Sequence, residues 1–512
     1  MAYLINGDIL KTILGKIHLK WCKNCNLPVL DTKCAICDSE TVEVKVTPPG
    51  DARPAFKGDL DLINKTINLQ FGIEENLFKN KMVLVNKAPG IEYFQEIVVD
   101  GIIFGILNFN EKKHEWKIIP TIEGARRLII AGCKKKLLVV KEDVPKFILN
   151  KGASVLRPGV AYASEDIGND DDVIILIEKK DSGTEFNELD VLGVGRSRMD
   201  YEQIINSEKG MVAKVRKSEL PKNSEILQEI GEFDEAVEKM IEANKNAMQK
   251  VESNSIGFMR NTVVKIGRPA SVAYSGGKDS LTVLLLALEA FKNHEDPIEF
   301  NVLFNDTGIE FNETLENIEK IAKLYGIEIL KTSSGEFWEK LEEYGPPGRD
   351  NRWCSEVCKV SPLGTLIDEK YEKGCLSFVG LRKYESINRS KKPRIWNSPT
   401  IKKQMLSAPI LNWTAMHVWI YILKHKAPYN VLYEQCFDRV GCFMCPAMEI
   451  GEIELVKMSY PELWEKWEGF LKTYAKTHGK DETWLKGGWR WTNKARSNNQ
   501  KQDEQINENW LG

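Results

Sequence analysis

No apolar run in this 512-residue chain is long. The longest, around residues 281–288, stops far short of the roughly 20 residues a bilayer span needs, which excludes an ordinary membrane protein. Neither sign of charge dominates: 71 Lys and Arg face 74 Asp and Glu, for a net charge of −3. Such a chain has no general basic field to draw nucleic acid, so any RNA contact must come from a local surface. Histidine is scarce, at six, and none joins a recognisable acid–base constellation; His417, within an apolar stretch, reads as a packing residue. The opening MAYLINGDILKTILGK carries charges through its apolar residues and no small-residue cleavage site, so no signal peptide is expected and the expected location is the cytoplasm. Hydrophobic residues at 42 % and charged residues at 28 % instead fit a globular chain whose length admits three or four domains. Cysteine is the informative residue. Eleven fall at 22, 25, 34, 37, 133, 354, 358, 375, 436, 442 and 445, eight of them in close pairs. In a reducing compartment close pairs read as metal ligands, and an odd total argues against complete disulfide pairing.

Cys22-Lys23-Asn24-Cys25 and Cys34-Ala35-Ile36-Cys37 are two CxxC knuckles with eight residues between them. Together they close a tetrahedral four-thiolate site that suits zinc, with a rubredoxin-like iron as the other occupant, and a closed site leaves no position for substrate. Residues 1–45 are therefore expected to form a structural zinc ribbon on Cys22, Cys25, Cys34 and Cys37. Residues 46–132, with apolar segments such as Gly101-Ile102-Ile103-Phe104-Gly105, read as an α+β region without catalytic residues. Over 133–205 short strands alternate with Gly and Pro, which predicts a small barrel. The KGASVLRPGV segment, the acidic turn Gly168-Asn169-Asp170-Asp171-Asp172 and the closing GVGRSRM resemble a PUA domain, the small β-barrel found on many RNA-modifying enzymes. That resemblance implies RNA as a partner. The GVG is not a dinucleotide fingerprint, because Arg198 stands where a third glycine is needed.

Residues 206–262 read as a helical linker: Leu227, Ile230, Phe233, Val237, Met240, Ile241 and Met248, mostly three or four apart, predict an amphipathic strut over 222–260. The pattern then becomes strand (271–274), loop, helix (281–291), strand (300–305), helix (313–325) and strand (327–331), which predicts a parallel sheet. In the loop Ser275-Gly276-Gly277-Lys278-Asp279-Ser280 two glycines let the backbone approach an anion, the new helix N-terminus points at it, and Lys278 adds charge. Such a loop holds phosphate. It is not the GxxxxGK[ST] loop, since only two residues separate Ser275 from Lys278.

SGGKDS resembles the pyrophosphate (PP) loop of the N-type ATP pyrophosphatases, and the residues downstream narrow the resemblance to the phosphoadenosine-phosphosulfate (PAPS) reductase family. The matching pieces are Asn305-Asp306-Thr307-Gly308 with Phe311 and Glu313-Thr314, Cys358-Lys359-Val360-Ser361-Pro362-Leu363, and Gly380-Leu381-Arg382 with Glu385-Ser386 and Arg389. Pro409-Ile410-Leu411-Asn412-Trp413, Val418-Trp419 and Gly441-Cys442-Phe443-Met444-Cys445-Pro446 complete them, over about 180 residues in the family's order. The expected fold class is thus multidomain α/β, with an adenine nucleotide α-hydrolase-like parallel-sheet domain at 263–450 behind the zinc ribbon, the α+β region and the PUA-like barrel. The resemblance places an adenine nucleotide (ATP, PAPS or adenylyl sulfate, APS), with magnesium, against Ser275–Ser280 and the strand end Asp306, Thr307 and Gly308. It sets Arg382 and Arg389 near phosphate or sulfate. Parallel sheets do bind ligands at the carboxyl ends of their strands, and Arg suits bidentate oxyanion recognition.

Cys354 and Cys358 lie one helical turn apart and Cys442-x-x-Cys445 forms a knuckle, so by spacing the four thiolates suit zinc or a 4Fe–4S cluster equally. The resemblance implies the cluster: reductases that carry one use adjacent cysteines followed by Lys and Pro-Leu, and then CxxC. This chain keeps Lys359 and Pro362-Leu363 but moves one cysteine by four residues. Cys436 competes as a ligand or thiol nucleophile, while Cys133 and Cys375 read as core residues.

Two departures bear on the reaction. Sulfonucleotide reductases carry a nucleophilic cysteine in a terminal Cys-Gly-Leu-His segment, whereas here the last cysteine is Cys445 and the tail reads NQKQDEQINENWLG. The loop retains Gly277 and Lys278, the form that stabilises departing pyrophosphate when ATP is cleaved between its α- and β-phosphates. The expected activity is ATP-dependent sulfur transfer to RNA, with tRNA the expected substrate: a base carbonyl is adenylated, and sulfur held at Cys354, Cys358, Cys442 and Cys445 displaces AMP. Lys278, Asp279, Arg382, Cys354 and Cys358 are its expected catalytic residues, and a sulfur or electron donor its expected partner. The alternatives are reduction of PAPS or APS to sulfite, and a nucleotide-sensing RNA-binding protein. Residues 451–512 read as a helical, Trp-rich basic tail in which Trp489, Arg490, Trp491, Lys494 and Arg496 stack on nucleotides or pack onto the domain.

Overall fold

A computed structural model describes residues 17–88, 92–178 and 186–492. The expectations for residues 1–16, Lys494 and Arg496 lie outside them. The chain forms two compact units: one holds residues 19–47 and Lys57–Lys239, the other Pro48–Phe56 and the chain from Met240. Among the described residues no helix is long and apolar enough to cross a membrane.

The first unit begins with a three-stranded antiparallel ribbon in the order Leu27–Val29, Lys20–Cys22, Val42–Glu43. Trp21 is fully buried, its indole N–H donates to Asn26 Oδ1 at 2.9 Å, and Asn26 Nδ2 donates to Asp100 Oδ1 at 2.7 Å, so the ribbon is tied to the next layer. That layer is an antiparallel meander of Val83–Lys87, Phe94–Val99, Ile102–Asn110 and Glu115–Pro120, flanked by the helices Lys57–Phe71 and Ile122–Ile130. A six-stranded sheet follows, in the order Val155–Leu156, Met211–Ser218, Val191–Ser197, Asp172–Ile177, Leu137–Val140, Val160–Ala163. Leu138, Val140, Ile148, Val173, Ile175, Leu192 and Val212 fill its core.

Two expectations need correction here. The strand Met211–Ser218 sits inside this sheet, so the barrel runs beyond residue 205 and the stretch 206–262 is not simply helical. The amphipathic helix expected from 222 does not begin until Phe233–Ala243 and then Lys245–Ile266. Leu227 and Ile230 belong to irregular chain between the strand Met211–Ser218 and the helix Phe233–Ala243. Side chains and loops satisfy that backbone instead: Ile230 N–H donates to the Asn80 carbonyl at 2.9 Å, and Lys81 Nζ binds the Leu227 carbonyl.

The second unit is built on a sheet in the order Ile329–Ser333, Phe300–Asp306, Ala270–Ala273, Cys375–Phe378, Gln404–Ser407, Ile395–Asn397, parallel except for the last pair. Chain order reverses beside Ala270–Ala273, and the loop leaving that strand is the phosphate-loop sequence, where such sheets bind ligands. Helix Lys278–Ala287 follows; all of its residues but Asp279 are buried, which explains why its apolar residues show no amphipathic period. Helix Ala415–Lys424 packs against it and is likewise buried through Ile422, His417 included. Burial lowers the His417 pKa to about 3, and Thr414 Oγ1 lies 2.8 Å from its Nδ1, in keeping with a packing role.

Candidate active site

The phosphate loop is braced at both ends. Ser280 Oγ takes the Ser275 N–H at 3.2 Å, meets Ser275 Oγ at 3.1 Å and donates to the Gly277 carbonyl at 2.9 Å. Gly276 adopts φ +75, a left-handed conformation that glycine reaches without cost. Two residues on, the Lys278 backbone N–H donates to the Tyr433 hydroxyl at 2.9 Å. The Lys278 ammonium lies 3.2 Å from Asp279 Oδ2, 3.4 Å from the Asp438 carbonyl and 5.7 Å from the centre of the Tyr433 ring. Burial opposes its charge, yet Asp279 and Tyr433 hold its pKa above the ordinary lysine value. Tyr433 had no signal in the sequence, because it reaches the loop from 155 residues downstream.

Arg382, expected near phosphate or sulfate, is engaged by carboxylates in this structure. Only 2 % exposed, it donates Nε to Asp279 Oδ1 and Nη1 to Asp51 Oδ1 and Oδ2 at 2.7 and 2.9 Å. Its guanidinium is committed to two carboxylates, and it acts on the loop through Asp279. Burial alone would raise the Asp279 pKa, but Arg382 and Lys278 hold it below the usual carboxylate range. Arg389, in the short helix Ile387–Ser390, pairs with Glu385 of the preceding turn. Asp306 Oδ1 accepts the Gly308 N–H at 2.9 Å and Oδ2 meets Lys331 Nζ at 3.0 Å, so this carboxylate shapes the strand end, leaving Gly308 exposed beside buried Thr307.

Gly380 explains why the segment carrying Arg382 lies so close. A Cβ there would stand 2.6 Å from both the Asp279 carbonyl carbon and the Ser280 nitrogen. Gly380→Ala is therefore expected to destabilise the protein by about 1–3 kcal/mol and to weaken ATP binding, read as a lower melting temperature and a smaller ATP-induced rise in it.

The downstream thiols gather only in part. Cys354, Cys442 and Cys445 line one cleft with Arg352, Lys359 and Arg439. Cys358 is buried outside that lining, with its thiol at Ser334 and its carbonyl accepting Asn305 Nδ2 at 2.6 Å. The turn Glu356–Val360 is a π-helix, whose wider winding changes the angle between residues four apart that an α-helical turn would set. Of the four thiols expected to form one centre, three line this cleft and Cys358 does not. Burial, with Glu310 next, raises the Cys442 pKa to about 12, and burial raises that of Cys354. Cys442 Sγ lies 3.5 Å from Thr307 Oγ1, which donates to Glu310 Oε1 at 2.7 Å, so the thiol cleft abuts the strand end expected to hold nucleotide. Cys436 ends the turn Val431–Gln435 in a left-handed conformation and is not part of this lining, and Cys133 and Cys375 are buried.

The tail residues belong to the same unit. Trp489 and Arg490 are 1 % exposed, which excludes them from stacking on nucleotides. Arg490 Nη1 and Arg349 Nη2 donate to the Met448 carbonyl at 2.6 and 2.7 Å, and Arg349 Nε to that of Pro446 at 2.9 Å. These two arginines pin the chain that leaves Cys445, a function invisible in their sequence context.

In the ribbon, by contrast, all four expected thiols converge: the sulfurs of Cys22, Cys25, Cys34 and Cys37 lie within 4.8 Å of one another. Cys22 and Cys37 sulfurs are 3.5 Å apart and those of Cys25 and Cys34 3.8 Å. A tetrahedron with Zn–S bonds of about 2.3 Å has edges of about 3.8 Å, so the donor set fits zinc.

A family model for the phosphoadenosine phosphosulfate reductase domain matches residues 269–448, the stretch that contains the phosphate loop, the Arg382 network and the thiol cleft. The chain thus contains a phosphoadenosine phosphosulfate reductase domain. A PUA domain model matches residues 136–218, including the strand beyond the expected barrel boundary. An uncharacterized protein of Methanocaldococcus jannaschii is 48 % identical over 491 residues, 95 % of this chain and 98 % of that protein. An adenosine 5′-phosphosulfate reductase of a Geobacillus species is 31 % identical over 163 residues, 30 % of this chain and 65 % of that enzyme. A solved phosphoadenylyl-sulfate reductase from Candida auris, 18 % identical with a TM-score of 0.31, covers 39 % of this chain and 95 % of that one. The protein thus joins a PAPS reductase-type sheet domain to a PUA domain and to a cysteine cluster able to hold a metal.

Proposed function

We propose that this protein is an ATP-dependent sulfur transferase acting on RNA, with tRNA its substrate. One observation carries the reading: Thr307, at the strand end beside the phosphate loop, touches the thiol of Cys442 at 3.5 Å, so nucleotide and sulfur chemistry share one site. The loop keeps the lysine and helix N-terminus that suit a departing pyrophosphate, and the PUA domain supplies an RNA-binding module. A base carbonyl oxygen attacks the α-phosphorus of ATP and the bond to the β-phosphate breaks. A sulfide-level sulfur then attacks the same carbon, and the carbonyl oxygen leaves in AMP, with no change of oxidation state. Lys278 and the loop N–H groups hold the phosphates with magnesium; Asp279 and Arg382 position Lys278; Cys354, Cys442 and Cys445 hold the sulfur. An iron–sulfur group bound by those three thiols would present that sulfur as a nucleophile. Reduction of PAPS or APS to sulfite is the second reading, favoured by the 31 % identity to an adenosine 5′-phosphosulfate reductase.

Anaerobic incubation with ATP or PAPS, with and without bulk RNA, separates the two by measuring pyrophosphate and sulfite together. RNA-stimulated pyrophosphate without sulfite supports transfer to RNA. Sulfite from PAPS without ATP turnover overturns it in favour of reduction.

A further inference from the structure

Residues 48–56, Pro-Pro-Gly-Asp-Ala-Arg-Pro-Ala-Phe, lie far upstream of the reductase-like domain and carry no chemical motif. The structure nevertheless places them in the same compact unit as the phosphate loop. Asp51 binds Arg382 through both oxygens, and its Oδ1 also accepts the Ala415 N–H at 2.6 Å, at the start of helix Ala415–Lys424. Arg53, 1 % exposed, donates Nε to Asp438 Oδ1 at 2.9 Å, and the carbonyl of that same Asp438 faces Lys278 Nζ at 3.4 Å. Phe56 anchors the segment edge-on against Trp419 at 4.6 Å, and Trp419 meets Tyr433, the acceptor of the Lys278 N–H, at 4.9 Å. Two opposite charges from one short segment therefore stand behind the two sides of the loop lysine.

We propose that Asp51 and Arg53 are positioning residues that set the anion affinity of the phosphate loop in opposite directions. The inference rests on the phosphate-binding role given above to the loop. Lys278, Asp279, Arg382 and Asp51 form a row of alternating charges that sums to zero, and the segment completes it. Asp51→Asn leaves the row with one uncompensated positive charge and strengthens its hold on a polyphosphate. Arg53→Gln removes the positive charge that balances the Asp438 carboxylate beside Lys278 and weakens that hold. Packing alone gives no such division of sign: a segment that only supports the fold weakens binding whichever residue is lost. One unit charge about 10 Å from a bound anion changes affinity by roughly tenfold at an effective dielectric of about 20.

Calorimetric titration of inorganic pyrophosphate into the full-length protein at low ionic strength tests this. Asp51→Asn is expected to bind pyrophosphate about tenfold more tightly, Asp51→Glu to return to the parent affinity, and Arg53→Gln to bind about tenfold more weakly. Weaker binding by both charge-removing variants, or no change in either, overturns the proposal. If Asp51→Asn does not fold, Arg53→Gln combined with Asp438→Asn decides: removing both charges restores binding if the proposal holds, and leaves it weak if the segment only packs. Absence of pyrophosphate binding by the parent protein refutes the proposed function instead, which keeps the two failures apart.

Discussion

Lys278→Ala is expected to slow pyrophosphate release from ATP by about 10²–10³-fold, the usual cost of losing one preorganised charge at a developing anion. The side chain is 8 % exposed and held by Asp279, so in the proposed reaction its charge is fixed before the leaving group develops. Its loss also leaves Asp279 shared only with Arg382, which tilts the loop toward negative charge. The decline is expected mainly in kcat, because the loop N–H groups and the helix N-terminus remain to bind phosphate in the ground state. Quench-flow measurement of pyrophosphate, with melting curves to show that the variant folds, checks this. A variant within threefold of the parent would remove Lys278 from the chemistry.

The second large effect concerns the ribbon. Cys34→Ser is expected to abolish binding of one equivalent of zinc and to unfold the ribbon, while the phosphate loop continues to bind ATP. Structural zinc sites contribute about 10–16 kcal/mol to folding in small domains, more than the few short strands here supply by themselves. The Cys37 thiol, whose pKa Ser39 lowers to about 6, is the first to present a thiolate, whereas burial raises Cys22 to about 11, so loading releases protons and weakens as pH falls. Metal analysis and chelator titration read the loss, and limited proteolysis locates it. Retention of zinc by Cys34→Ser would show that the four thiols do not act as one site.

The sequence made the ribbon and the phosphate loop legible because each holds its chemistry within a short stretch: two CxxC knuckles in one case, six consecutive residues in the other. It served less well wherever the site is assembled across distance. Asp51 and Arg382 meet over 331 positions and Arg53 and Asp438 over 385, and no local pattern marks such pairs. Arg382 stood in a motif that suggested phosphate contact, but a residue's type does not reveal whether a carboxylate has already claimed it. Cys354 and Cys358 were expected to share one face, and a π turn between them, which no periodicity announces, sets Cys358 apart from the cleft. The Trp-rich segment illustrates the same limit: rings beside cations suit nucleic acid or a protein core equally, and here Trp489 and Arg490 are enclosed.

The most direct test of the account is the chemical fate of the RNA. Transfer RNA incubated anaerobically with the full-length protein, ATP, magnesium and a sulfide donor is digested to nucleosides and examined by mass spectrometry. The account predicts a nucleoside in which sulfur has replaced one carbonyl oxygen, formed only with ATP, accompanied by equimolar AMP and pyrophosphate, and absent with Lys278→Ala or Cys442→Ser. Turnover of ATP with unaltered nucleosides, or release of sulfite from PAPS in place of any change in the RNA, contradicts it.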